Sequence, residues 1–210
     1  MSAIDAVGAT LAHLDDATRA LVRVAAVVAG GNEDQLRREL QQAAHATPHP
    51  WVEELLLQTY LFAGFPRALN GMRQWRKLAV IPNEVRDLQL KSSDVRARGE
   101  ETCARVYGDM YERLRVNIRQ LHPLLDDWMI DEGYGKVLGR PELDLPRREL
   151  CIVAACAATG QDRQLQSHLH GARNVGVHES VIDEALHAVR DLIPEPAHSR
   201  ARALWDRIRS

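Results

Sequence analysis

The sequence is short of the features that announce most chemistries. Its three cysteines, Cys103, Cys151 and Cys156, are an odd number without framework spacing, which excludes a disulfide scaffold and points to reduced thiols in the cytoplasm. Charge of one sign is also lacking. With 27 basic against 29 acidic side chains the formal charge is -2, so no electrostatic footprint for nucleic acid or an anionic membrane is present, and neither partner is expected. The most apolar runs, around 24–31 and 55–66, fall well short of the roughly 20 residues a bilayer helix needs. The opening MSAIDAVGATLAHLDD has neither a basic start nor a long apolar core, which argues against a signal peptide. No glycine-rich phosphate loop, serine nucleophile elbow or zinc-type cysteine spacing occurs. No β-alternation of useful length appears either, so the expectation is an all-α chain able to bury a sizeable core.

What is present concentrates in residues 143–172, LDLPRRELCIVAACAATGQDRQLQSHLHGA. Leu150, Val153, Ala154 and Ala157 recur at helical spacing, and Pro146 suits a helix's first turn. Thr159 and Gly160 break that helix. Leu165, His168, Leu169 and Ala172 then form a second stripe, with Gly171 and Gly176 suggesting close packing and a stop. Two antiparallel helices follow. Glu149 shares a face with Ile152 and Cys156, and His168 lies inside the second apolar stripe, so both polar groups point into the space between the helices. A catalytic pair and a core histidine satisfied by one carboxylate both fit that placement.

The same pattern occurs near the N-terminus. Adding 129 to residues 14–43 aligns them without a gap to 143–172: Leu14, Asp15, Arg19, Leu21, Val24, Gly31, Gln35, Leu36, Leu40 and Ala43 recur as Leu143, Asp144, Arg148, Leu150, Val153, Gly160, Gln164, Leu165, Leu169 and Ala172. This implies two tandem helical hairpins about a pseudo-twofold axis, a degenerate repeat over 1–90 and a second over 91–210. Only the second keeps the acid and the imidazole, since the counterparts of Glu149 and His168 are Ala20 and Glu39.

Elsewhere, residues 1–13 suggest a short leading helix or arm. Residues 51–75 read as one longer helix interrupted near Gly64 to Pro66, 80–100 as a connector, 102–128 as helical, and EGYGKVLGRPELD as a glycine-rich approach to the second hairpin. His168 and His170 form His-x-His, whose members point apart on a helix, so no metal site is expected from them. No cofactor is expected.

The run Tyr134-Gly135, Arg140-Pro141, Leu143-Asp144, Arg148-Glu149-Leu150, Gln164-Leu165, His168 and Gly171-Ala172 resembles the signature of the carboxymuconolactone decarboxylase family, which shares its fold with AhpD-type alkylhydroperoxidases. The resemblance implies an AhpD-like all-helical fold assembled as a homo-oligomer. It also implies where peroxidase thiols would stand, and Gln161 and Gln164 occupy those positions, so thiol peroxidase activity is not expected.

The decarboxylase branch needs no thiol. Loss of carbon dioxide from a carboxymuconolactone leaves an enolate-like carbanion, which requires a proton donor and cations for the substrate's carboxylates. His168 suits the donor, Glu149 its orienting base, and Arg140, Arg147 or Arg148 the grip on a small acidic, lactone-type molecule. Arg148 has a second reading, because its counterpart Arg19 persists in the copy without acid and imidazole, as a structural ion pair would. Two function classes stay open: a proton-transfer enzyme at Glu149 and His168, or a non-catalytic oligomer serving ligand binding or assembly.

Overall fold

A computed structural model describes residues 10–79 and 92–210. The helices begin and end where the sequence supplies caps. Helix α1 (Asp16–Gly30) starts at Asp15, whose carboxylate accepts the Thr18 N–H at 2.6 Å. Helix α2 (Glu33–Ala46) starts with a capping box between Asn32 and Gln35. Helix α7 (Leu145–Thr159) starts at Asp144, which accepts the Arg147 N–H at 2.9 Å, and has Pro146 in its first turn. Its end is Gly160 at φ 67°, the left-handed conformation that turns the chain into α8 (Asp162–Asn174).

Between these hairpins lie α3 (His49–Leu78), α4 (Ser92–Tyr107), a 3-10 turn over Gly108–Met110, α5 (Tyr111–Leu121), α6 (Pro123–Trp128) and a π-helix, π1 (Met129–Leu138). Helices α9 (Glu179–Ala188) and α10 (Glu195–Arg209) follow. Among the described residues the β-structure is one isolated bridge, Leu11 to Val177, so the chain is all-α.

Helices α1 and α7 form the centre and pack more extensively on each other than any other pair. Every residue from Val24 to Ala29 and from Arg148 to Ala157 is buried, which is how a helix covered on all sides reads. They cross closely: a Cβ on Gly30 would lie 2.8 Å from the Ala158 carbonyl oxygen. A single hydrophobic core runs through both halves of the chain, and the 90/91 boundary between the expected repeats lies outside the described residues. The helix bounds nevertheless repeat at the 129-residue offset, Asp16–Gly30 with Leu145–Thr159 and the start Glu33 with Asp162.

Three local expectations are corrected. The charge-dense end of the 80–100 connector is helical, because α4 already begins at Ser92; residues 80–91 lie outside the described residues. The glycine-rich approach is π1, packed on α4 through glycines: a Cβ on Gly99 would lie 2.2 Å from the Ile130 carbonyl oxygen, and one on Gly135 2.4 Å from that of Val95. Of the leading arm, residues 1–9 lie outside the described residues, and Leu11 pairs with Gly176 and His178 through backbone hydrogen bonds instead of forming a helix. The interruption in the long helix is present, at Gly64 with φ 80° and ψ 161°, a region essentially reserved for glycine.

Candidate functional site

Because Gly160 reverses the chain, the buried faces of α7 and α8 oppose each other. Glu149 on α7 is fully buried, His168 on α8 is 5% exposed, and His168 Nδ1 lies 2.8 Å from Glu149 Oε2. An ionised carboxylate only accepts, so the proton in this bond sits on Nδ1, and Nε2 is the nitrogen left for chemistry. Gly171 makes the approach possible. A Cβ there would stand 2.7 Å from Glu149 Oε2 and 2.8 Å from a Val106 methyl. The other oxygen, Glu149 Oε1, is buried with no hydrogen-bond partner among the described residues. A buried acceptor left without a donor carries the full cost of its desolvation.

Aromatic side chains surround the pair. Phe62 meets the His168 ring edge-on, with centroids 5.5 Å apart. Tyr107 and Tyr134 pack edge to face at 6.2 Å and hydrogen-bond each other. Burial, reinforced by the nearby Glu149 carboxylate, pushes both phenols well above their ordinary range, so they act as neutral hydrogen-bonding groups.

His168 opens on a cavity of about 730 Å³. One wall is polar and comes from α8: Arg163, Gln164, Ser167 and His168. The remaining walls are mostly apolar. Leu61, Phe62 and Phe65 line it from α3 on both sides of the Gly64 kink, Leu114 and Ile118 from α5, Leu125 and Trp128 from α6, and Gly133, Tyr134 and Leu138 from π1. Glu132 also lines it and is paired with Lys136 at 2.5 Å. A second cavity of similar size, lined by Asp183, Arg202 and Arg209 among others, does not include His168, and these two of its four arginines are paired with Asp183 at 2.7 and 2.6 Å.

The arginines singled out in the sequence line neither cavity; each is held by carboxylates of the fold. Glu54, buried on α3, receives Arg140 through two nitrogens at 2.8 to 3.0 Å and Arg148 at 2.8 Å. Arg148, fully buried, also donates to the Leu143 carbonyl and to Gln58. Arg147 pairs with Asp144 and Asp15 and lies 4.5 Å over the Trp51 ring. Burial acts to raise the Glu54 carboxyl, but the hydrogen bonds and charges of Arg140 and Arg148 outweigh it and hold it below the ordinary value of 4.5. The cation that does line the His168 cavity is Arg163, which has no ion-pair partner among the described residues. Nothing in its spacing distinguished it in the sequence. Tyr107 and Tyr134 had a faint signal, as the aromatic members of two aromatic-glycine doublets.

The counterpart position in the first hairpin is filled differently. Glu39 is bridged by Arg23 at 2.8 Å, and Arg23 reaches on to Asp191 and the Ala188 carbonyl. The three thiols are buried, which pushes Cys103 and Cys156 up to about 12 and Cys151 higher. Among the described residues no cluster of histidine, cysteine and carboxylate side chains has the makings of a metal site, and no helix is long and apolar enough to cross a membrane.

Comparison with known proteins agrees with the motif. Residues 123–206, from α6 to α10, match the model of the carboxymuconolactone decarboxylase family. The chain is also 26% identical over 181 residues to Peroxisomal protein 2 of Schizosaccharomyces pombe, an alignment covering 83% of this chain and 85% of that protein.

Proposed function

We propose that this chain, whose residues 123–206 match the model of the carboxymuconolactone decarboxylase family, carries out proton transfer coupled to decarboxylation at Glu149 and His168. The observation that carries this reading is the 2.8 Å contact of His168 Nδ1 with a fully buried Glu149 on the wall of a cavity. In such a step the bond to the leaving carboxylate breaks, its electron pair passes into an enolate, and carbon dioxide departs. His168 Nε2–H then protonates the carbon, and Glu149, holding Nδ1–H, stabilises the imidazolium before transfer and orients the ring afterwards. Arg163 supplies the cation facing the substrate, a role the sequence had suggested for Arg140, Arg147 or Arg148.

With a carboxymuconolactone as substrate and released carbon dioxide as the readout, His168→Ala is expected to lower kcat by roughly 100-fold or more, the scale usual for losing a general acid. Glu149→Gln should lower it less while leaving the thermal midpoint near that of the wild type. Turnover at the wild-type rate in a destabilised His168→Ala would make the pair a structural tie and move the chemistry elsewhere.

Two further parts of this reading concern the whole chain. The hairpins 14–43 and 143–172 are interpreted as copies related by a pseudo-twofold, supported by their common helix bounds. Assembly as a homo-oligomer is supported by large apolar side chains left in water on α3, α5 and α6: Leu57, Leu69, Leu121 and Leu124 are 43 to 73% exposed. Light scattering at micromolar concentration should report more than one copy per particle, and a monomeric mass would remove that part. Buried reduced thiols suit the cytoplasm, although the fission-yeast relative bears a peroxisomal name.

A further inference from the structure

The cavity beside His168 is roomy and more apolar than a compact lactone acid requires. Its volume of about 730 Å³ equals roughly two dozen waters at about 30 Å³ each. Three of the large apolar side chains that line it face water: Phe65 is 62% exposed, Trp128 57% and Leu125 46%. Such side chains around a concave opening are contact surface for an apolar molecule, whose burial there is favourable in proportion to the area covered.

The polar groups are not spread evenly around this space. Arg163, Ser167 and His168 all come from the first two turns of α8, and Arg163 is a cation without a carboxylate partner among the described residues. Glu132, the one carboxylate lining the cavity, is neutralised by Lys136. The charge pattern therefore asks for one anionic group at the α8 wall and an uncharged body everywhere else.

We infer that the ligand of this cavity is an amphiphilic monoacid, a single carboxylate held by Arg163 and His168 with an apolar body of about a dozen carbons running between α3, α6 and π1 toward Phe65 and Trp128. This rests on the same His168 site as the proton-transfer reading and moves its substrate class from a compact lactone acid to an amphiphilic monoacid, one that for turnover also carries a carbonyl beside the carboxylate-bearing carbon to take the electron pair as an enolate.

Calorimetric titration of the wild-type protein with laurate, held below its micelle concentration, tests it directly. Laurate is expected to bind saturably at one site per chain, and butyrate roughly 100-fold or more weakly, since each buried methylene strengthens binding about fourfold. Gly133 provides the steric control. A Cβ on Gly133 meets nothing within 4 Å, so Gly133→Leu extends into the cavity without a clash on the scaffold. That variant should keep the wild-type circular dichroism and lose laurate affinity by at least about tenfold; Ser167→Trp, blocking from the opposite wall, should do the same. Arg163→Ala should weaken laurate about tenfold and leave 1-dodecanol unchanged. Equal affinity for butyrate and laurate, or undiminished laurate binding in both folded blocking variants, overturns the inference. His168→Ala separates it from the catalytic reading. Turnover lost in that variant, with laurate weakened no more than in Arg163→Ala, supports both, whereas turnover of a compact lactone acid by a wild type that ignores laurate leaves the catalysis standing and removes this ligand.

Discussion

Glu54 shows what one buried side chain holds together. It is 4% exposed and binds two guanidiniums, one of them on Arg148 with no exposure at all, so its removal strands buried positive charge. Glu54→Ala is expected to lower unfolding stability by about 3 to 5 kcal/mol, the range for breaking a buried pair from one side, as read by urea denaturation. The pH dependence follows from the direction of its shift. A carboxyl held below 4.5 in the folded chain binds fewer protons there than in the unfolded chain, so its contribution is present above about pH 4.5 and is lost as pH falls through the lower folded value. Wild-type stability should fall on acidification below that point, and Glu54→Gln should flatten the slope. These partners were out of reach of the sequence because Glu54 stands 86 and 94 positions from Arg140 and Arg148. Glu149 and His168 are 19 positions apart across one helical turnaround, a separation over which periodicity and a glycine stop are enough to bring two side chains together.

Among the elements, π1 was the least legible. Its glycines look like loop formers in a sequence, and only the packing reveals that they let two helices touch. The two central ones now separate by function. Gly135→Ala forces a Cβ to 2.4 Å from the Val95 carbonyl oxygen, backbone that cannot step aside, whereas the Gly133 Cβ points into open space. Gly135→Ala should therefore destabilise by several kcal/mol, near the top of the ordinary mutational range. Gly133→Ala should be neutral or stabilising by about 0.5 to 1 kcal/mol, from helix propensity alone. Thermal melts of the two variants side by side check the contrast, and equal midpoints would mean that π1 is free to move off α4. The cavity was illegible for a related reason: its walls come from α3, α4, α5, α6, π1 and α8, each contributing a few side chains that carry no shared motif. The caps, by contrast, are local chemistry, and Asp15, Asn32, Asp144 and Gly160 mark helix ends in the structure where their residue types favour them.

At the scale of the whole molecule, the thiols are spread through the core rather than gathered at the surface. Burial suppresses their thiolate form, with Cys103 and Cys156 raised to about 12, and the thiolate is the species that attacks a peroxide. A coupled assay with a dithiol reductant should show no sustained hydroperoxide turnover; activity lost in Cys151→Ser or Cys156→Ser would reveal a redox centre. The central pairing of α1 with α7 has a further consequence, in time rather than in space. During synthesis α1 is finished when Gly30 is added, but the helix that covers its apolar face is complete only at Thr159, 129 residues later (159 minus 30). At about 5 to 20 residues per second that delay is roughly 6 to 26 s. For that interval α1, buried throughout from Val24 to Ala29 in the finished chain, has no α7 to pack on, which leaves apolar surface for chaperones to cover until the second hairpin arrives.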